Sequence, residues 1–362
     1  MAASGKKNRH WLSRLSFGTV SLFFSALLLL GYLSMVVDPA KAWFLTLFGL
    51  LYIPVLLVVA VLFILSLIRR SRMRGFLLLM LIPSIFFFGK YYQFRGPSDT
   101  TPATLKVVSY NVGLFAHGDG FNDRLALADS VCTYLRKADA DLICLQEFYL
   151  PNQVDLGAWL RSRFPGYKME YYVVTGNNGQ FGNVTLSRRP LTGKGKINFE
   201  KSTNMALWSD VRLDSAVVRI YNCHFESYNI SLSGLVKKAG EEGLVEETGQ
   251  KMRRSIHERP KQVAEVLKGV DAAPVRSVVL GDFNDNPLSY TCFRLLRGRK
   301  DSFTVAGKGF GATYRSLWPL LRIDYILYPQ DLAAVSYKVD KVKYSDHYPV
   351  IATYYETGRN SR

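Results

Sequence analysis

Three short motifs in this chain could do chemistry together: Gly281-Asp282-Phe283-Asn284, Arg322-Ile323-Asp324-Tyr325-Ile326 and Ser345-Asp346-His347-Tyr348-Pro349-Val350. Each sets polar residues at the end of a short apolar run, where a strand stops and its side chains can reach a cleft. Three acids, an amide and a histidine held that way suit metal-assisted cleavage of a phosphate ester. Any one motif alone is weak; their joint presence in this order is the strongest signal in the sequence.

Further clusters add to the set. Asp141-Leu142-Ile143-Cys144-Leu145-Gln146-Glu147 ends a buried run on a carboxylate, which is costly to bury unless it meets a cation or a partner. A hard, oxygen-binding ion such as Mg²⁺ suits Glu147; the bland reading is an exposed glutamate just past the strand. Asn111 closes Val107-Val108-Ser109-Tyr110-Asn111-Val112, where it could support a bound water or a phosphate oxygen. Taken alone it reads as a strand-end turn former. His224, in Tyr221-Asn222-Cys223-His224-Phe225-Glu226, alternates with apolar neighbours and taken alone reads as structural. A functional His224 would donate to a phosphate oxygen. Asp282 can orient or deprotonate a water, and Asn284, on the same side if the chain stays extended, can hold phosphoryl oxygens without titrating. A histidine such as His347, held by a buried aspartate, gains a fixed tautomer and a raised pKa.

The elements that must position these residues are short strands. Runs at 105–112, 142–146, 183–187, 206–212, 217–224, 278–281, 323–327 and 349–354 are rich in Val, Ile, Leu, Tyr and Phe and bounded by turn formers. Arg124–Lys137 reads as an amphipathic helix, Trp159 and Leu160 sit in a second, and Val263–Leu267 lies in a third after Pro260. Asn229–Arg259 is polar and lacks apolar periodicity, so it reads as a mobile surface excursion beside the site. Many strands with few helices over about 250 residues predict two packed sheets with helices outside. The four cysteines, Cys132, Cys144, Cys223 and Cys292, have no zinc-type pairing and read as free thiols.

The N-terminal quarter differs. Of the formal net charge of +17, residues 1–95 carry roughly +10 and the remainder roughly +7. Apolar runs at about 16–37, 42–68 and 75–94 predict three transmembrane helices, the last reaching spanning length if Lys90 snorkels and Tyr91 and Tyr92 sit at the interface. Lys6, Lys7, Arg9 and Arg14 precede the first run and Arg69, Arg70, Arg72 and Arg74 follow the second, against Lys41 alone in the first connection. The positive-inside rule then places the N-terminus in the cytoplasm and, with three spans, everything after residue 95 outside it. Residues 96–103 read as a linker, 104–356 as the catalytic domain and 357–362 as a tail.

With these motifs in hand, the chain from about Thr104 to Tyr355 resembles the endonuclease/exonuclease/phosphatase superfamily, most specifically at Gly281–Asn284 and Ser345–His347. The resemblance implies an α/β fold, a four-layered sandwich of two packed β-sheets flanked by helices, here preceded by a transmembrane helical region. It also implies a hydrolase using Mg²⁺, with Mn²⁺ as the alternative ion. Glu147 resembles the principal metal ligand, with Asn111 and Asp346 beside it. Asp282 resembles the residue that positions the attacking water, Asn284 the one that steadies the transition state, His347 the catalytic histidine oriented by Asp324, and His224 the phosphate-binding histidine. Some relatives carry an acid two residues after the first Asn; Gly113 stands there instead. The segments Asn183–Pro190 and Gly311–Tyr314 also resemble parts of the family's cleft. The resulting expectation is an integral membrane protein of the bacterial inner membrane with a periplasmic phosphoesterase domain. Its substrate would be a lipid head group, a cell-surface phosphoester or nucleic acid, with the bilayer as its surroundings and no obligate protein partner. A nuclease and an inactive phospho-ligand binder are the alternatives.

Overall fold

The computed structural model describes residues 2–96, 103–120, 123–200, 202–214, 216–228 and 244–356. The expected linker and tail fall largely outside these residues, as does the first half of the expected surface excursion. The chain divides into two compact units, one of residues 1–89 with 288–293 and the other of residues 90–287 with 294–362.

The first unit is helical. Helices run over Ala2–Leu33, Pro39–Ala42, Leu45–Leu50, Tyr52–Ile68 and Met73–Phe88. Among the described residues one segment, Leu15–Leu33, is long and apolar enough to cross a bilayer, with 19 residues and a mean hydropathy of 1.8. The second expected span, 42–68, is not one helix: it breaks at Leu51, which leaves helical geometry at φ −87° and ψ 5°. Its longer piece has 17 residues. The third expected span closes at Phe88 rather than Phe94, after 16 residues. Beyond it, Tyr92 and Gln93 turn to strand pairing with Phe310 and Gly309, so their backbone groups are satisfied by a ladder instead of a helix.

The second unit holds two six-stranded mixed sheets. In the first sheet the order is Leu332–Val339, Val350–Glu356, Leu105–Asn111, Leu142–Leu150, Gln180–Ser187, Lys168–Thr175. In the second it is Lys300–Asp301, Asp324–Tyr328, Arg276–Asp282, Val217–His224, Met205–Arg212, Leu191–Asn198. Neighbours are antiparallel except Leu105–Asn111 with Leu142–Leu150, and Val217–His224 with Arg276–Asp282.

Side-chain alternation divides each strand between two cores. Val107, Leu142 and Cys144 of the first sheet pack with Val218, Ile220, Val278, Leu280, Ile326 and Tyr328 of the second, filling the space between the sheets. Val108, Tyr110, Ile143 and Leu145 point the other way, onto Leu127, Val131 and Leu135 of helix Arg124–Ala138 and Leu160 of helix Leu156–Arg163. The result is the α/β sandwich expected from the strand pattern. All four cysteines are buried free thiols.

The sharpest departure is the supposed excursion. Leu244–Ala272 is one long helix that continues through Pro260. Among its described side chains the buried face begins at Ser255 and takes in Ile256, Val263 and Val266.

Candidate active site

The polar residues at the strand ends extend the rows of side chains that face the space between the sheets. Asn111 follows Val107 and Ser109 in that row, Asp282 follows Val278 and Leu280, and Asn222 and His224 follow Val218 and Ile220. In the second sheet Asp282 lies opposite both His224 and Asp324 in register, which brings three strand ends together.

Glu147 does not belong to this row by count. Leu145 and Phe148 both face the helices, so one residue too many lies between them. The pairing with strand Gln180–Ser187 shifts there, from Leu145 opposite Val184 to Phe148 opposite Gly182. This β-bulge, with Glu147 itself at φ 50°, turns the carboxylate toward the other sheet. Asn284 is likewise left-handed, at φ 51°. The chain therefore does not stay extended after Asp282, and the two side chains meet by a different route. Asp282 Oδ1 accepts the Asn284 backbone N–H at 2.8 Å, and the Asn284 amide lies 3.3 Å from Oδ2 while donating to the Phe225 carbonyl at 2.9 Å. Gly281, at φ 125°, has no room for a side chain, since a Cβ would fall 2.0 Å from the Cys223 carbonyl oxygen.

One hydrogen-bonded cluster results. The Asn111 amide nitrogen donates to Glu147 Oε1 at 2.9 Å and to Asp282 Oδ2 at 2.8 Å, joining a carboxylate from each sheet. His224 Nε2 stands 3.3 Å from Glu147 Oε1 and 3.9 Å from Asp282 Oδ2. His347 Nδ1 is 3.0 Å from Asp324 Oδ2, and its Nε2 faces Asp282 Oδ2 at 3.7 Å. Asp346 stands apart from that core. The single Ser345 O–H is shared between the Asn111 carbonyl at 2.9 Å and Asp346 Oδ1 at 3.2 Å, so Asp346 is joined to strand Leu105–Asn111 through a hydroxyl. Gly113, at φ 56°, fits this corner because a Cβ would come within 3.0 Å of Asp346 Oδ1 and 2.8 Å of His117 Cδ2. An acid at that position would collide with the one at 346.

The electrostatics follow from burial and close charges. Burial presses the His347 imidazolium toward losing its proton, yet the Asp324 and Asp282 carboxylates hold its pKa well above the ordinary histidine range. Burial raises the pKa of Asp282, opposed by His347 and reinforced by Asp324. Among the described residues two groups of donors lie close enough to hold an ion, Glu147–His224–Asp282 and Asp282–Asp324–His347, each with ligand atoms within 4.8 Å of one another. The buried His224 Nε2 and Asp324 Oδ1 have no hydrogen-bond partner of their own. An oxygen-rich set completed by an unsatisfied imidazole nitrogen fits a divalent cation.

Beside Glu147 and His224 a cleft of about 670 Å³ opens, lined also by Phe181, Asn204, Lys251 and Arg254. Sequence reasoning did not find its basic wall, which belongs to the long helix. It also missed the buried amides of Gln146 and Asn222 behind the site, which meet Asn183 of the segment likened to the family's cleft. Gln146 donates to Asn222 Oδ1 at 2.7 Å, and Asn183 donates to the Asn222 carbonyl at 3.0 Å. The available signal was polar side chains recurring at inward positions of otherwise apolar strands.

Comparison with known proteins bears on this arrangement. Residues 108–347 match the model described as the Endonuclease/Exonuclease/phosphatase family, and residues 14–91 match a model described only as a domain of unknown function. No curated protein matches the chain. Among solved structures, an endonuclease/exonuclease/phosphatase from Beutenbergia cavernae DSM 12333 is similar at 20% identity and a TM-score of 0.53, covering 71% of this chain and 72% of that one. One from Bacteroides vulgatus is similar at 16% identity and a TM-score of 0.51, covering 70% and 98%. The human Nocturnin catalytic domain with bound sulfate gives 16% and 0.51, covering 70% and 94%. At these identities the likeness is one of fold.

Proposed function

Because this chain belongs to the endonuclease/exonuclease/phosphatase family, whose members hydrolyse phosphoesters, we propose that it is a membrane-anchored, divalent-metal-dependent phosphoesterase. The observation that supports this reading is the single cluster in which Asn111 and Glu147 of one sheet meet His224, Asp282 and Asp324 of the other, with Asn284 and His347 alongside.

In this reading Asp282 orients the attacking water and takes its proton. Asp324 holds His347 Nδ1, so that Nε2 faces the reacting phosphorus and steadies negative charge on its oxygens or on the departing oxygen. His224 and the Asn284 amide bind the non-bridging oxygens. Glu147 and Asn111 would hold the ion, Mg²⁺ or Mn²⁺, with Asp346 joined to them through Ser345. When bound, the ion neutralises charge that develops on the phosphoryl group. His347→Ala should lower kcat/KM on bis-p-nitrophenyl phosphate by about 10²–10⁴-fold with an unchanged far-UV spectrum. Chelation with EDTA should abolish turnover, and added Mg²⁺ should restore it. Turnover that survives both treatments would sink the assignment.

The membrane part of the proposal rests on the apolar helices of the first unit. Helices of 16 and 17 residues are about 24–26 Å long, short enough to require local thinning of the bilayer. Three crossings, with the arginine-rich 69–74 turn in the cytoplasm, put the catalytic unit in the periplasm of a bacterial inner membrane. A reporter fused after Arg362 that works only in the cytoplasm refutes this orientation.

A further inference from the structure

The catalytic unit keeps most of its large apolar side chains inside, but five that it exposes fall into one neighbourhood. Phe94, Phe310, Leu317, Trp318 and Leu320 are all exposed, Phe94 to 78%; outside this group the unit's other exposed large hydrophobics are Tyr171 and Val305, among the described residues. Ring contacts join them: Tyr92 lies 5.0 Å from both Phe94 and Phe310, and Phe310 lies 5.9 Å from Trp318, centroid to centroid. Leu317 and Leu320 bracket the same turn, where the Leu320 N–H donates to the Leu317 carbonyl at 2.7 Å. Lysine is interleaved with the rings. Lys341 Nζ sits 3.8 Å over the Trp318 ring, Arg95 is exposed next to Phe94, and Lys308 is exposed two residues before Phe310. A contiguous exposed apolar patch marks an interaction surface. Tryptophan and other aromatics mixed with lysine and arginine are the side chains proteins place at the headgroup level of a bilayer.

Two further observations choose the occupant and tie it to the site. Phe94 follows Phe88, the last residue of the third apolar helix, by six residues, so at most about 20 Å of chain separates the patch from that helix end. The loop that carries Leu317, Trp318 and Leu320 is also fastened to the catalytic residues at both ends. The Arg315 N–H donates to the Asp346 carbonyl at 2.8 Å, and Tyr314 bridges to His347 with the rings 5.4 Å apart. At the other end Thr313 Oγ1 accepts the Ile323 and Asp324 N–H groups, both at 3.1 Å. Whatever surface the patch rests on is thereby held against the rim of the site.

We propose that the Phe94–Phe310–Trp318 patch seats in the headgroup layer of the bilayer that holds the apolar helices, and that the substrate is a phosphoester of a lipid in that bilayer. This rests on the phosphoesterase reading for its chemistry and on the patch alone for the docking. The reaction is the hydrolysis already described: water adds to phosphorus, the P–O bond to the leaving group breaks, and the leaving oxygen takes up a proton.

The docking half is tested on the full-length chain in proteoliposomes. All four native cysteines are buried, so Leu320→Cys accepts a polarity-sensitive dye selectively, and Thr192→Cys, exposed on the Leu191–Asn198 strand, serves as the control. The dye at 320 should emit to the blue of the dye at 192 and be quenched by lipids spin-labelled near the headgroup. Equal emission and equal quenching at both sites overturn the docking. The substrate half compares vesicles of phosphatidylethanolamine, phosphatidylglycerol and cardiolipin with soluble bis-p-nitrophenyl phosphate. The variant Phe310→Ser/Trp318→Ser/Leu320→Ser should lose at least about tenfold in rate on the lipids while staying within about twofold on the soluble ester. Equal losses on both, no lipid hydrolysis by the unmodified protein, or faster cleavage of plasmid DNA than of lipid overturns it. Failure on the soluble ester by the unmodified protein counts against the phosphoesterase reading instead, and leaves the dye measurement to decide the docking.

Discussion

Asp282→Asn should lower kcat by about 10²–10⁴-fold with little change in the melting temperature, and the pairing of the two outcomes is what makes it informative. The carboxylate is 1% exposed, and burial raises its pKa because the charged form loses solvation there. Replacing it with an amide of the same shape removes that desolvated charge. It leaves an oxygen to accept the Asn284 N–H, which now binds Oδ1 at 2.8 Å, but sets its own NH2 against the Asn111 amide that donates to Oδ2 at 2.8 Å. The two effects on the fold offset one another, so the melting temperature should move little, while no group remains to take the proton of water. Steady-state turnover on bis-p-nitrophenyl phosphate and a thermal melt of the same sample check both halves. Activity within about tenfold of the unmodified protein, or a melt lowered by many degrees, would show that Asp282 serves the fold rather than the reaction.

How much of this was legible in the sequence depends on how each residue reaches the site. Those that continue an inward-facing row stand at strand ends the sequence marked, Asn111 after Val107 and Ser109, Asp282 after Val278 and Leu280, His224 after Val218 and Ile220, but Asn111 and His224 gained a role only from the family resemblance. Glu147 was found by its cost of burial, but not the bulge that aims it, because one extra residue in a strand leaves no mark on composition. The Asn284 turn was misread for a related reason: spacing of two implies a shared side only while the chain remains extended. Three long strands, Lys168–Thr175, Leu191–Asn198 and Leu332–Val339, escaped detection, and all three lie at sheet edges. An edge strand covers less core and can alternate lysine with glycine, as Leu191–Asn198 does, so its apolar signal fades. The broken second apolar run was equally invisible, since Leu51 is as apolar as its neighbours. Of the helix Leu244–Ala272 only Val263–Leu267 was read as helix, and the stretch before Pro260 was lost because its buried face is partly polar. Ser255, Arg259 and Gln262 are buried beside Ile256 and Val263, and a hydrophobicity pattern cannot count them.

That polar face makes Arg259 the largest expected lever on stability. Its guanidinium, 1% exposed, lies 3.2 Å from Asp285, stacks on Tyr228 with its centre 4.5 Å from the ring, and donates through Nε to the Glu226 carbonyl at 2.9 Å. Burial works against its charge, but Tyr228 and Asp285 hold it protonated. Arg259→Met should lower stability by about 3–5 kcal/mol, the usual result of leaving a buried carboxylate without its cation. Adding Asp285→Asn removes the stranded charge and should recover at least about half of that loss, a coupling that a double-mutant cycle reads directly. Asp285 follows Asn284, and Glu226 lies two residues after His224, so the pair ties the helix to two strand exits that carry the site. Activity should therefore fall along with the melting temperature in Arg259→Met, and return in part with Asp285→Asn, in contrast to Asp282→Asn, where the two separate. Additive losses in the double variant would mean that the ion pair does not hold these exits in place.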